Sequence, residues 1–162
     1  MTKKTGFTLI ELLITLAILA ILASATMPLL KMSVQRKKES ELRENLRQIR
    51  NAIDAYKLAY DENRLGGNLG LKKLDSTGYP PNLDVLVEGV ESNASAGKKK
   101  LKFLRRIPTD PMSTQNDYDE SPQWGMRSYN SDPNNPVAGE DVYDVYSLSP
   151  LIGSNGIPYA KW

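Results

Sequence analysis

Neither cysteine nor histidine occurs anywhere in the 162 residues. Without cysteine there is no disulfide, no thiolate metal site and no Cys–His nucleophile. Without histidine the side chain that most often moves protons near neutral pH is missing. A small exported domain commonly relies on a disulfide staple, so this one depends on packing, oligomerisation or a bound ion. Charge of one sign is lacking as well: 21 Lys and Arg stand against 19 Asp and Glu, and removal of residues 1–6 with Lys3 and Lys4 would make the two equal. Bulk charge therefore gives no argument for binding nucleic acid. With no recognisable nucleophile arrangement and no phosphate-binding loop, the chain is expected not to be an enzyme. Its length allows one membrane segment and one modest globular domain.

What the sequence does have is a single long apolar run, residues 7–30, F-T-L-I-E-L-L-I-T-L-A-I-L-A-I-L-A-S-A-T-M-P-L-L. About 20 apolar residues suffice for a helix to cross a hydrocarbon core. Glu11 is its one carboxylate. A charge at the centre of a spanning helix costs about 2.5–3.5 kcal/mol on insertion scales and less near the interface. Glu11 lies close to the start, where the positive end of the helix dipole favours an anion. It either snorkels to the headgroups or pairs with a positive group of another subunit. A secretory signal cut after Ala23-Ser24-Ala25 is a competing reading, but the run exceeds the usual length of a signal core and contains a charge. An uncleaved signal anchor fits the length and leaves Glu11 unexplained. Lys3 and Lys4 favour a cytoplasmic amino end, whereas Lys31, Arg36, Lys37 and Lys38 would favour the opposite by charge count alone. The amino end is placed inside because the remainder reads as an exported domain. Pro28 cannot donate to the carbonyl of Ser24, so a kink or a locally unwound stretch is expected there.

From Met32 to about Arg64 the pattern stays helical. Leu42, Leu46, Ile49, Ile53, Tyr56 and Tyr60 recur at spacings of three and four and form one apolar stripe. The pairs Glu39–Arg43 and Glu44–Gln48 are assigned to the solvated side. Run and stripe together predict one helix of about 55 residues, roughly 80 Å long, ended by Gly66 and Gly67. Residues 66–81 follow as loop. Asn82 then caps a short helix whose apolar face is Leu83, Leu86, Val87 and Val90.

Residues 91–97 are assigned to loop, with Asn93-Ala94-Ser95 a formal glycosylation match of low specificity. The basic stretch 98–106 is expected to be a solvated edge around buried Leu101, Phe103 or Leu104 rather than a nucleic-acid patch. Strands are predicted at 125–130 and 141–149, joined by the Asp-, Pro- and Asn-rich segment 131–139 as an antiparallel pair. Tyr159 and Trp162 tuck the tail back onto that sheet. Asp110, Asp117, Asp119, Asp132, Asp141 and Asp144 are oxygen donors without EF-hand spacing, and turn formation accounts for them better than calcium does. The fold class is α+β: a long N-terminal helix, half hydrophobic and half amphipathic, packed on a small C-terminal domain with a short helix and an antiparallel sheet.

K-K-T-G followed by F-T-L-I-E-L-L resembles the class III leader of type IV pilins and type II secretion pseudopilins. The remainder is similar to the G-type, or major, pseudopilin family of type II secretion, through G-Y-P-P-N-L-D-V-L-V-E-G-V (78–90), F-L-R-R-I-P-T-D-P (103–111) and V-Y-D-V-Y-S (142–147). The resemblance implies that a prepilin peptidase cuts between Gly6 and Phe7 and methylates the Phe7 amine. It implies that Glu11 meets the new amino terminus of a neighbour, and that Pro28 is the helix-loosening proline common in filament-forming subunits. The implied division is a leader at 1–6, a transmembrane and filament-core helix at 7–30, its amphipathic continuation at 31–65 and a globular head at 66–162. The implied partners are copies of itself in a helical filament, minor pseudopilins, the peptidase and the inner-membrane assembly platform, without nucleic acid. Localisation follows as the bacterial inner membrane and then a periplasmic filament that exports folded proteins. A type IV pilus subunit, serving adhesion, motility or DNA uptake, shares fold and leader and is the alternative; a soluble periplasmic binding protein released after Ala25 is a second. The family often ends in a calcium-binding loop rich in glycine and aspartate. This chain has S-L-S-P-L-I-G-S-N-G-I-P-Y there, so no calcium ligands are assigned.

Overall fold

The computed structural model describes residues 6–67, 76–93, 99–113 and 123–162, with the backbone alone at 25–29. Lys3, Lys4, Lys98, Asp117, Asp119 and the last two residues of the Asn93-Ala94-Ser95 match lie outside the described residues. The chain divides into two units, Met1–Lys37 and Lys38–Trp162. Helix α1, Leu9–Asp61, contributes to both.

In the first unit the helix starts at a cap. The Thr8 carbonyl accepts the Leu12 N–H at 3.2 Å and its Oγ1 accepts the Glu11 N–H at 3.3 Å. Thr8-Leu9-Ile10-Glu11 thus has the spacing of a capping box, with the threonine half of the exchange formed. Thr15 and Ser24 donate their hydroxyls to the carbonyls of Leu12 and Ile21, which hides two polar groups inside an apolar segment. Helical backbone continues through Pro28, so of the kink or unwound stretch expected there the unwound stretch is not found. Among the described residues no helix is long and apolar enough to cross a membrane. Residues 9–24, the apolar stretch with described side chains, would reach about 24 Å against a core of about 30 Å.

The second unit is built on the apolar stripe. Leu42, Leu46, Ile49, Ile53, Tyr56 and Tyr60 are all buried, as their spacing predicts, and Ala52 and Ala59 extend the stripe. They form one core with Leu86, Leu104, Met112, Trp124, Val142, Val145 and Tyr159. Burying each large aliphatic side chain stabilises this unit by about 1.5–3 kcal/mol. The helix stops earlier than Gly66. Asn63 takes a left-handed backbone (φ 55°), its N–H bonds to the Tyr60 carbonyl, and the Arg64 N–H reaches the Ala59 carbonyl at 2.9 Å. That pair of bonds is a Schellman stop, for which asparagine is the usual substitute for glycine.

Helix α2, Asp84–Glu88, is capped as expected: the Asn82 Oδ1 accepts the Val85 N–H at 3.0 Å. Val90 does not belong to its face. Gly89 turns the chain at φ 79°, and Val90 opens strand β1, Val90–Glu91, which pairs antiparallel with β2, Lys100–Leu101. These strands replace loop and solvated edge in the sequence-based expectation. Two residues are too few for an alternation to show. The burial expected of the basic stretch holds: Leu104 is buried, Leu101 and Phe103 are half-buried, and Lys100, Lys102, Arg105 and Arg106 are exposed. Asn93 donates its amide to the carbonyls of Asn63 and Leu65, at 3.0 and 2.6 Å, so this side chain fastens the segment after α1.

Strands β3, Trp124–Arg127, and β4, Asp144–Ser147, form the predicted antiparallel pair in a register that sets Gly125 opposite Tyr146. Both are shorter than expected. Past the ladder the N–H groups turn elsewhere: Ser128 to the Val137 carbonyl at 3.1 Å, Val142 to the Pro80 carbonyl at 2.8 Å and Tyr129 to the Asp141 carboxylate at 3.0 Å. A Cβ on Gly125 would lie 2.3 Å from the Tyr146 ring, so glycine is required there by the close approach of that ring. The tail closes through a 3₁₀ turn, Tyr159–Lys161, packed on β4.

Candidate functional site

Two sets of residues have chemistry beyond packing: the amino-terminal segment of α1 and a group of carboxylates in the second unit. At the first, Gly6 precedes the helix in open space, and a Cβ there would meet nothing within 4 Å. The fold of this chain therefore places no steric demand for glycine at position 6. Phe7 is 85% exposed, and Leu9, Ile10, Leu12 and Leu13 beyond it are exposed as well. Glu11 lies in the first turn, also exposed, with no ion-pair partner among the described residues. Gly6, Phe7 and Glu11 thus share one end of α1, with Thr8 as the capping residue that the sequence reading missed. The T-x-x-E spacing could have revealed it. Pro28 is on the same helix about 25 Å further along, at 1.5 Å per residue.

The described aspartates singled out in the second unit are engaged internally. Asp132 accepts the Asn134 N–H at 2.7 Å, a turn-forming role as expected. Buried Asp110 accepts the Met112 N–H at 2.8 Å and the Ser147 hydroxyl. Asp144 pairs with Arg50 at 2.7 Å and stands 3.7 Å from Arg127. Burial of Asp141 works to raise its pKa, but hydrogen bonds from the Thr77 hydroxyl, the Tyr129 N–H and the Ser128 side chain outweigh it and hold the carboxyl below its ordinary range. Among the described residues no three such groups gather closely enough to hold a metal ion.

Two residues of α1 make connections that sequence reading did not foresee. Arg50 bonds to Asp144, to the Val145 carbonyl at 3.1 Å and to the Trp162 carbonyl at 2.9 Å, tying helix, strand and tail together. Glu39, assigned above to the solvated side, is instead only 3% exposed. Its Oε1 accepts the Ser154 N–H at 2.7 Å and the Tyr159 hydroxyl at 3.0 Å, and its Oε2 accepts the Ser154 hydroxyl at 2.5 Å. Its position three residues before Leu42 puts it on the apolar stripe, a signal present in the spacing. The tail packs against α1 as well as the sheet: Arg43 lies over the Trp162 ring at 4.3 Å, and Trp162 meets Tyr159 edge-on.

The profile of the family described as the prokaryotic N-terminal methylation motif matches residues 1–27. That motif, heading a long helix with a small α+β unit behind it, defines the pilin-like class of proteins. Three similar proteins are named type II secretion system core protein G. That of Vibrio cholerae serotype O1 is 29% identical over 73% of this chain and 70% of its own. That of Klebsiella pneumoniae is 30% identical over 68% of this chain and 71% of its own, and that of Escherichia coli K12 is 28% identical over 72% and 70%. The chain belongs to the family of type II secretion system core protein G, the major pseudopilins. No solved structure matches it.

Proposed function

We propose that the chain is the structural subunit of the periplasmic pseudopilus of a type II secretion system. The observation that carries this is an apolar helix half whose described side chains are all exposed, joined to a methylation motif and to a head related to core protein G along most of its length. In this reading the precursor is held in the inner membrane by residues 7–30, amino end in the cytoplasm, and a prepilin peptidase cuts between Gly6 and Phe7. Open space around Gly6 supports the cut, since the chain's own packing gives no reason for a glycine and an external reader does. Cleavage creates an amine at Phe7, and methylation keeps its charge. Glu11 has no ion-pair partner among the described residues, and that amine on an adjacent copy supplies one. Apolar faces from many copies then bury one another, and the growing filament pushes folded proteins outward. Minor pseudopilins and the inner-membrane assembly platform act as its partners, and the helix, continuous through Pro28 in the single chain, loosens there as the subunits pack.

Mass spectrometry of the mature amino terminus tests the reading. Methylated Phe7 is expected; Thr26 as first residue would mean a cleaved signal and overturn it. Deleting the gene is expected to abolish export of folded proteins. Loss of surface pili with export intact would replace a secretion pseudopilus by a type IV pilus.

A further inference from the structure

The C-terminal loop of this family is where calcium is expected, and the residues here do not fit it. Residues 150–158, P-L-I-G-S-N-G-I-P, contain no carboxylate. Calcium takes about six to eight oxygen ligands, with carboxylates prominent among them. Several of the loop's oxygens are already engaged within it. The Asn155 Oδ1 accepts the Ile157 N–H at 3.0 Å, and the Gly153 carbonyl accepts the Gly156 N–H at 2.9 Å. The Ile157 carbonyl accepts the Gly153 N–H and the Trp162 indole N–H, and the Leu151 carbonyl accepts the Tyr159 N–H. What the loop offers outward toward α1 is the opposite of a cation shell: the N–H and hydroxyl of Ser154 and, just beyond, the hydroxyl of Tyr159. Three donors converging on one point form a site for an anion, and Glu39 fills it from within the chain.

We propose that the Glu39 carboxylate closes the C-terminal loop where relatives would use calcium, and that the head is consequently indifferent to divalent cations. The carboxylate spans 115 residues of sequence to Ser154, so one side chain joins α1 to the last turn of the fold. It is buried with hydrogen bonds to both oxygens, the arrangement in which an ionised carboxylate is tolerated away from water. Removing its charge leaves three donors short of an acceptor of full strength, a loss that a metal added from outside does not restore because the loop supplies no carboxylate to hold it. The inference uses family membership and the geometry of the head; it does not depend on export or filament formation.

Purified full-length chain in detergent gives the test. Thermal unfolding followed by tryptophan fluorescence should give the same Tm in excess calcium and in chelator. Glu39→Gln should lower Tm by several degrees, and calcium should not recover it. Tyr159→Phe removes a single donor and keeps the carboxylate. It should fold, lower Tm by less, and speed hydrogen exchange at the Ser154 amide. A Tm that falls in chelator, a calcium-dependent recovery of Glu39→Gln, or wild-type Tm and exchange in both variants would each overturn the proposal.

Discussion

The two halves of α1 are written in the same helical geometry and end in opposite circumstances. Residues 9–24 are apolar nearly throughout and every one is exposed; from Glu39 to Tyr60 only one face is apolar and that face is buried. The difference lies in what else the chain supplies. For the second half it supplies a cover, made of α2, the β3–β4 pair and the tail, together with hydrogen-bond partners for the helix's own polar groups at Glu39, Asn45 and Arg50. Among the described residues of the first half, the polar groups bond within their own helix, through a cap and two hydroxyls. An exposed apolar surface of that extent marks a segment whose cover comes from other molecules. The stripe has its cover within the chain; the described side chains of residues 9–24 are exposed.

The sharpest way to break this contrast is Glu11→Ala. It should leave head stability and leader cleavage intact while filament assembly, seen by electron microscopy or crosslinking, is lost. Normal filaments would show that the carboxylate has no intermolecular role. Next comes a matched pair. Ile49→Ala should destabilise the head by about 2–5 kcal/mol in denaturant unfolding, whereas Leu16→Ala should change it by less than about 0.5 kcal/mol. Equal effects would mean that the two halves are not energetically distinct. Gly125→Ala should cost about 1–3 kcal/mol through collision with the Tyr146 ring, and Tyr146→Ala on that background should recover part of it. The smallest effect concerns pH. The folded pKa of Asp141 is depressed, so the unfolded chain binds more protons in the acid range. Its contribution is therefore complete above the ordinary carboxylate range and is lost as pH falls through the folded value. Asp141→Asn should flatten the acid limb of a plot of denaturant midpoint against pH; an unchanged slope would place the acid sensitivity elsewhere.

The stripe from Leu42 to Tyr60 was legible because a periodicity near 3.6 survives over many turns. The β3–β4 pair was legible from its alternating β-branched and aromatic residues, though not its ends, where Ser128, Tyr129 and Val142 bond to partners outside the ladder. Strands β1 and β2 were not, being two residues each. The stop at Asn63 was missed because two glycines further on offered a stronger signal than one asparagine. At the amino end, the shared place of Gly6, Phe7 and Glu11 at the start of α1 could be read directly, since they are neighbours in sequence. Glu39 shows the opposite limit. Its place on the stripe was visible, but its partners come from residues 154 and 159, and no local pattern connects them.

That separation also sets a schedule. Synthesis proceeds from the amino end, so α1 is complete long before Thr109, Asp144, Ser154 or Tyr159 exists to hold it. Contacts this remote in sequence form slowly, because the loop between them must close first. The apolar half is therefore complete and exposed while the stripe behind it is still waiting for a cover. The helix is made first and locked last.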